Sequence, residues 1–88
     1  MESIGRLAKE GRLIIGTKRT LKLLKKGKVK KVYVASTCPK NILEAIEKYA
    51  KDKKVKVIYV EKSSRDFGKM LGKPFLVTVA SVKHGKDV

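Results

Sequence analysis

The chain has 88 residues, 42% of them hydrophobic and 35% charged, enough apolar material for one packed core and an argument against disorder. Lysines and arginines outnumber acids 23 to 8, a formal net charge of +15 with a pI near 10.2, and that self-repulsion calls for a polyanionic partner, nucleic acid first and an anionic membrane surface second. A single cysteine, Cys38, excludes an internal disulfide and a cysteine-built zinc site, and with a single histidine, His84, and eight acids that mostly sit in helical patterns beside lysines rather than in clusters, redox or metal catalysis has no support.

No linker or shift in composition divides the chain, so one domain over residues 1–88 is expected, with a core over 3–82 and a loose tail over 83–88. No apolar run nears the ~18 residues of a membrane span, and Met1 to Gly5 lack the charged-then-apolar pattern of a signal peptide, so the expected address is cytoplasmic. Glutamine is absent, Asn41 is the one asparagine and lysine is abundant, as in heat-stable, archaeal-type proteins. Heat adaptation interleaves both signs in ion-pair networks; it explains the richness in lysine and leaves the imbalance to a bound polyanion.

Ile4, Leu7 and Ala8 lie at helical spacing before Gly11 and predict a short opening helix. Arg12 to Ile15 is the size of a short buried strand ending at Gly16. The next helix is expected to be capped by Thr17, with Leu21 and Leu24 on one side, Lys18, Lys22 and Lys25 on another, and Gly27 closing it. Lys31 to Ala35 reads as an inner strand, and Pro39 suits the first position of a helix whose stripe is Ile42, Ala45, Ile46, Tyr49 and Ala50. Glu44 with Lys48 and Glu47 with Lys51 have the spacing to support that helix's outer face. Val55 to Val60 predicts a third strand; Ser63 and Asp66 then have capping-box spacing ahead of a helix carrying Phe67, Met70 and Leu71 and closed by Gly72. Lys73 to Phe75 should turn into a fourth strand, Leu76 to Val82. Alternation of helices and strands implies a three-layer α/β/α sandwich around a four-stranded, largely parallel or mixed sheet.

Three loops carry possible function. Gly16-Thr17-Lys18-Arg19-Thr20 joins a strand to a helix start, where free N–H groups and the positive end of the dipole favour a phosphate; the alternative is an ordinary turn with solvated lysines. Gly11 to Lys18 is a near miss of the phosphate-loop pattern, but its lysine and threonine are swapped and its middle residues are the strand itself, which rejects an NTPase. Ser36-Thr37-Cys38-Pro39 leaves a strand on what should be the same sheet edge, with helix capping by Thr37 or Cys38 as the simpler reading. Lys73-Pro74-Phe75-Leu76 places two apolar side chains in a loop. Phe75 could stack on an unpaired base, although a phenylalanine taken alone is more often core.

These loops, with Ala35 to Pro39, Ile46 to Ala50 and Phe67 to Phe75 at their spacing, resemble the L seven-Ae superfamily of kink-turn RNA-binding proteins, and within it the large-subunit ribosomal branch. The likeness spans residues 3–82. It implies an α/β/α sandwich that binds sharply bent RNA with sheared G·A pairs: Gly16, Thr17, Lys18, Arg19 and Lys22 meeting backbone and guanine edges, Thr37 touching RNA from the second loop, and Pro74, Phe75 and Leu76, with Lys73 beside them, holding an extruded base. The Asn-Glu pair usual in the guide-RNA branch is Lys18-Arg19 here, which favours ribosomal RNA. An asparagine common in the ribosomal branch is Thr37, which bears on fine specificity. The implied protein is a non-catalytic component of the large ribosomal subunit, monomeric when free, with ribosomal RNA as partner and no cofactor, small-molecule substrate or membrane. Two other readings stay open: a free-standing kink-turn binder of a guide-RNA or processing particle, and a protein-interaction module of the same fold.

Overall fold

The structure, a computed structural model, describes residues 13–83; the helix expected over residues 4–10 and the chain after Lys83 lie outside the described residues. In chain order the elements are β1 (Leu13–Ile15), α1 (Thr17–Lys25), β2 (Val29–Ala35), α2 (Lys40–Lys53), β3 (Lys56–Val60), α3 (Ser64–Met70) and β4 (Val79–Lys83). The four strands form one sheet in the order β1-β4-β2-β3. Only β2 and β3 pair in parallel; β4 runs antiparallel to both β1 and β2, so the sheet is mixed rather than largely parallel. Element length gives the reason. The 14 residues of α2 carry the chain back ~21 Å to begin a parallel strand, whereas the seven of α3 advance it only ~10 Å, so β4 enters from the end that β3 has just left.

Side chains alternate across the sheet and fill two layers. Tyr33, Ala35, Ala80 and Val82 join Phe67 and Leu71 under α3, while Val32, Val34 and Val79 join Leu24 of α1 and Ile46 of α2 on the opposite face. Helices on both faces make the expected α/β/α sandwich. Val29 would fall on the α3 face by strict alternation, yet it packs with Val32 and Val34. A register shift between Val29 and Lys31 resets the alternation, and it lets the strand begin two residues earlier than its apolar pattern suggested. On the helix layer, Lys25 lies over the Tyr49 ring with its ammonium 5.2 Å from the centroid, tying α1 to α2.

Several local expectations need correction. Gly16, not Thr17, is the N-cap of α1; its φ of 122° and ψ of 143° suit glycine, and no side-chain hydrogen bond caps the helix. Pro39 caps α2 in extended geometry one position before the helix, and neither Thr37 nor Cys38 supplies a side-chain cap. β3 starts at Lys56, and β4 starts at Val79 instead of Leu76 and runs on through Lys83, which the sequence reading placed in the tail. Among the described residues neither Glu44 with Lys48 nor Glu47 with Lys51 forms an ion pair; the Tyr59 hydroxyl donates to the Glu47 carboxylate instead. The Ser63 cap holds as expected, its Oγ accepting from the Asp66 amide at 3.2 Å, and Gly72 closes α3 at φ 72°.

One buried polar contact fastens α1 to the sheet: the hydroxyls of Thr20 and Ser81, both fully buried, lie 3.1 Å apart. Thr20→Val should cost about 1–3 kcal/mol by leaving the Ser81 hydroxyl unpaired, and adding Ser81→Ala should recover most of that. Urea unfolding of the single and double variants checks this; a double variant no more stable than the single would refute the account.

Candidate nucleic-acid interface

The mixed topology brings the three loops to one end of the sheet. Ile15 pairs with Ala80, Val34 with Val79 and Ala35 with Val60, so the C-terminal ends of β1, β2 and β3 share an edge with the start of β4. Gly16 follows β1 at this edge and donates its amide to the Val79 carbonyl at 3.0 Å. The first intrahelical bond of α1 runs from Thr20 to the Gly16 carbonyl. Helix geometry therefore leaves the N–H groups of Thr17, Lys18 and Arg19 without intrahelical acceptors beside the edge.

Facing them is the segment between α3 and β4. Gly16, Thr17 and Arg19 on one side and Lys73, Phe75, Leu76 and Thr78 on the other line a cleft of about 710 Å³. Among the described residues its lining holds two cations and no carboxylate. Residues 13–43 contain no Asp or Glu at all. Phe75 is 54% exposed and Leu76 66%, which decides between the two readings of that loop: both side chains lie at the surface, outside the core.

The loop is held there by backbone contacts that admit little else. The Lys73 amide donates to the Gly68 carbonyl at 2.9 Å, and the Val77 amide to the Ser64 carbonyl at 3.1 Å. With its amide committed to Ser64, Val77 stays outside the sheet ladder, which is why β4 begins late. A methyl group on Gly68 would sit 2.3 Å from the Phe75 carbonyl oxygen, so the segment crosses α3 only because residue 68 has no side chain.

Thr37 enters through a chain of hydroxyls. Its Oγ1 lies 2.7 Å from Ser64 Oγ and accepts from the Ser64 amide at 2.9 Å, while Ser64 Oγ lies 3.1 Å from Thr78 Oγ1 in the wall of the cleft. The second loop is thus joined to the cleft at its rim. Beside it, burial pushes the Cys38 thiol above its ordinary pKa, and its Sγ donates to the Pro39 carbonyl, the opposite of what an activated nucleophile needs.

The expected site residues do not all converge. Gly16, Thr17, Arg19, Lys73, Phe75 and Leu76 share the cleft. Lys18 and Lys22 line a shallow groove on the outer side of α1 with Leu21, Lys25 and Lys26, and Pro74 belongs to a recess on the far side of its loop. Helical spacing accounts for the division: Lys18 and Arg19 are neighbours in sequence and about 100° apart around the axis. Gly68, Ser64 and Thr78, which build the cleft, were not singled out by the sequence reading. The doubled serine after β3 was the available signal, one hydroxyl capping α3 and the other left for tertiary contacts.

Fold and cleft together define a small basic α/β/α sandwich with a loop-built cleft at one sheet edge whose described lining carries cations and no carboxylate. The family model described as "Ribosomal protein L7Ae/L30e/S12e/Gadd45 family" matches residues 1–88, and the chain belongs to that family. Among curated relatives, the large ribosomal subunit protein eL30 of Methanothermobacter thermautotrophicus is 45% identical over 77 residues, covering 88% of this chain and 79% of its own length. The protein of the same name from Sulfolobus acidocaldarius is 38% identical over 76 residues, covering 86% and 73%. Among solved structures, a 15.5 kD RNA-binding protein of Giardia lamblia superposes with a TM-score of 0.77 at 20% identity, covering 94% of this chain and 69% of its own, a likeness of fold.

Gly68→Ala should displace residues 73–77 and disorder the cleft while the sheet survives. Backbone amide NMR shifts would register this: large changes confined to α3 and residues 73–78 are expected, and an unperturbed Phe75 amide would refute the crossing as described.

Proposed function

We propose that this chain is a non-catalytic RNA-binding protein of the large ribosomal subunit, one RNA-binding unit that grips a kink-turn or a similar bend with sheared G·A pairs. The observation that carries this reading is the cleft, in which a helix start whose first N–H groups have no intrahelical acceptor, with Arg19, faces the exposed Phe75 across a space of about 710 Å³. A bent RNA presents two things there that a straight duplex does not: a phosphate backbone folded close upon itself and a base turned out of the stack. Gly16, Thr17 and Arg19 would take the backbone and guanine edges, Phe75, Leu76 and Lys73 the extruded base, with Pro74 bracing their loop from its other side, and Thr37 the rim. Lys18 and Lys22, on the outer side of α1, would act as phosphate contacts for the adjoining stem.

Relatives named as large ribosomal subunit proteins support a ribosomal place over a guide-RNA particle, and with it a cytoplasmic, ribosome-bound address; a monomeric free form is part of the proposal. The cleft, whose described lining carries no carboxylate, and the charge of +15 favour RNA over a protein partner.

Gel-shift titrations against a kink-turn and a straight duplex of equal length test the reading. The kink-turn should bind at least tenfold more tightly, and equal affinity would overturn it. Phe75→Ala should cost about 1–3 kcal/mol on the kink-turn, the scale of one stacked base. Lys22→Ala should instead act on both RNAs and lower the slope of log K against log salt by roughly 0.9, one phosphate contact.

A further inference from the structure

Behind the Phe75 loop, on the side away from the cleft, lies a second recess of about 320 Å³ lined by Arg65, Lys69, Lys73, Pro74, Phe75 and Leu76. Phe75, Leu76 and Lys73 line both spaces, so one loop forms the partition between them. α3 buries Phe67 and Gly68 against the core. Arg65 and Lys69, four residues apart on the same turn-to-turn face, are both exposed. Among the described residues the recess lining contains three cations and no carboxylate. Asp66 is about 100° round the helix from Arg65, and among the described residues it forms no ion pair with either base.

Resting on the reading above, we propose that this recess receives the RNA strand where it continues past the extruded base, with backbone phosphates against Arg65 and Lys69. A nucleotide whose base enters the cleft carries its own backbone over the partition, and what arrives on the far side, whatever the sequence, is phosphate. Two cations at helical i, i+4 spacing repel each other when empty and are relieved by an anion between them. Arg65 supplies a planar fork suited to two phosphate oxygens, Lys69 a mobile point charge. Phe75 and Pro74 give the neighbouring sugar or base an apolar floor on that side. The recess thereby sets the direction in which the strand leaves the cleft, which the cleft alone leaves open.

The test is a phosphate-by-phosphate walk. Single phosphates of a kink-turn RNA are replaced by neutral methylphosphonates, and each RNA is titrated with the unmodified protein and with the double variant Arg65→Ala, Lys69→Ala. For the unmodified protein, one or two positions next to the extruded nucleotide should weaken binding, and the double variant should be indifferent to those same positions. Raising salt from 50 to 200 mM should cost the unmodified protein about seven- to twelvefold more affinity than the variant, the loss of two phosphate contacts. A variant with unchanged affinity and salt slope, or one weakened equally at every position, would overturn the proposal. So would a variant that binds RNA normally yet no longer sediments with large subunits, since the recess would then serve a protein. Failure of the functional reading looks different: the unmodified protein would show no preference for the bent RNA.

Discussion

The crossing of residues 73–77 over the bare Cα of Gly68 is the constraint on which the site depends. A side chain there would collide with the Phe75 carbonyl, so the loop could not lie close enough for its amides to reach Gly68 and Ser64. Without those two bonds the loop would lose its anchors on α3, and Phe75 and Leu76 would be free to turn toward neighbouring apolar surface, as exposed apolar side chains tend to do. The backbone bonds hold them at the surface against that tendency. This is a small region kept out of its own hydrophobic optimum by main-chain hydrogen bonding, an arrangement expected where a ligand later covers the apolar group.

The electrostatic arrangement follows the same logic at larger scale. Bases exceed acids almost threefold, and no carboxylate occurs between residues 13 and 43, the stretch that forms β1, α1 and β2. The acids that do occur in the described chain lie on α2, after β3 and on α3. There one carboxylate accepts from Tyr59 and another lies 3.9 Å from the Lys53 ammonium. The cleft and the α1 groove are left with uncompensated positive charge, and the repulsion within them is relieved by a polyanion more effectively than by scattered counterions. The buried polar contact of the described residues, Thr20 with Ser81, is neutral, so salt screening acts little on it.

Much of the fold was legible because it rests on local rules. Ser63 caps α3, glycines 27 and 72 take positive φ after helices, and the stripe through Ile46 and Ala50 faces the sheet as its spacing required. Features set by distant partners were not legible. The late start of β4 depends on a bond between Val77 and Ser64, and the register shift at Val29 on its pairing with Lys83. The site divides in the same way. The helix start at Gly16 could be found from residue types in order, and the exposure of Phe75 was implied by family likeness against the usual expectation for phenylalanine. Ser64, Gly68, Thr78, Arg65 and Lys69 acquire meaning only once α3 lies against the loop, because none belongs to a motif with its own local chemistry.

The position of β4 within the sheet bears on how the chain assembles. It is the last of the described strands in sequence, yet it sits between β1 and β2 and, among the described residues, is the only strand paired with β1. As the polypeptide leaves the ribosome, the three residues of β1 wait for their described partner until β4 has emerged. The β2–β3 pair with α2 can form early from contiguous sequence, whereas one edge of β2 stays open until the final segment docks. The cleft is therefore completed only when β4 docks, so a nascent chain that has not yet presented β4 carries the charge of β1, α1 and β2 but not the cleft.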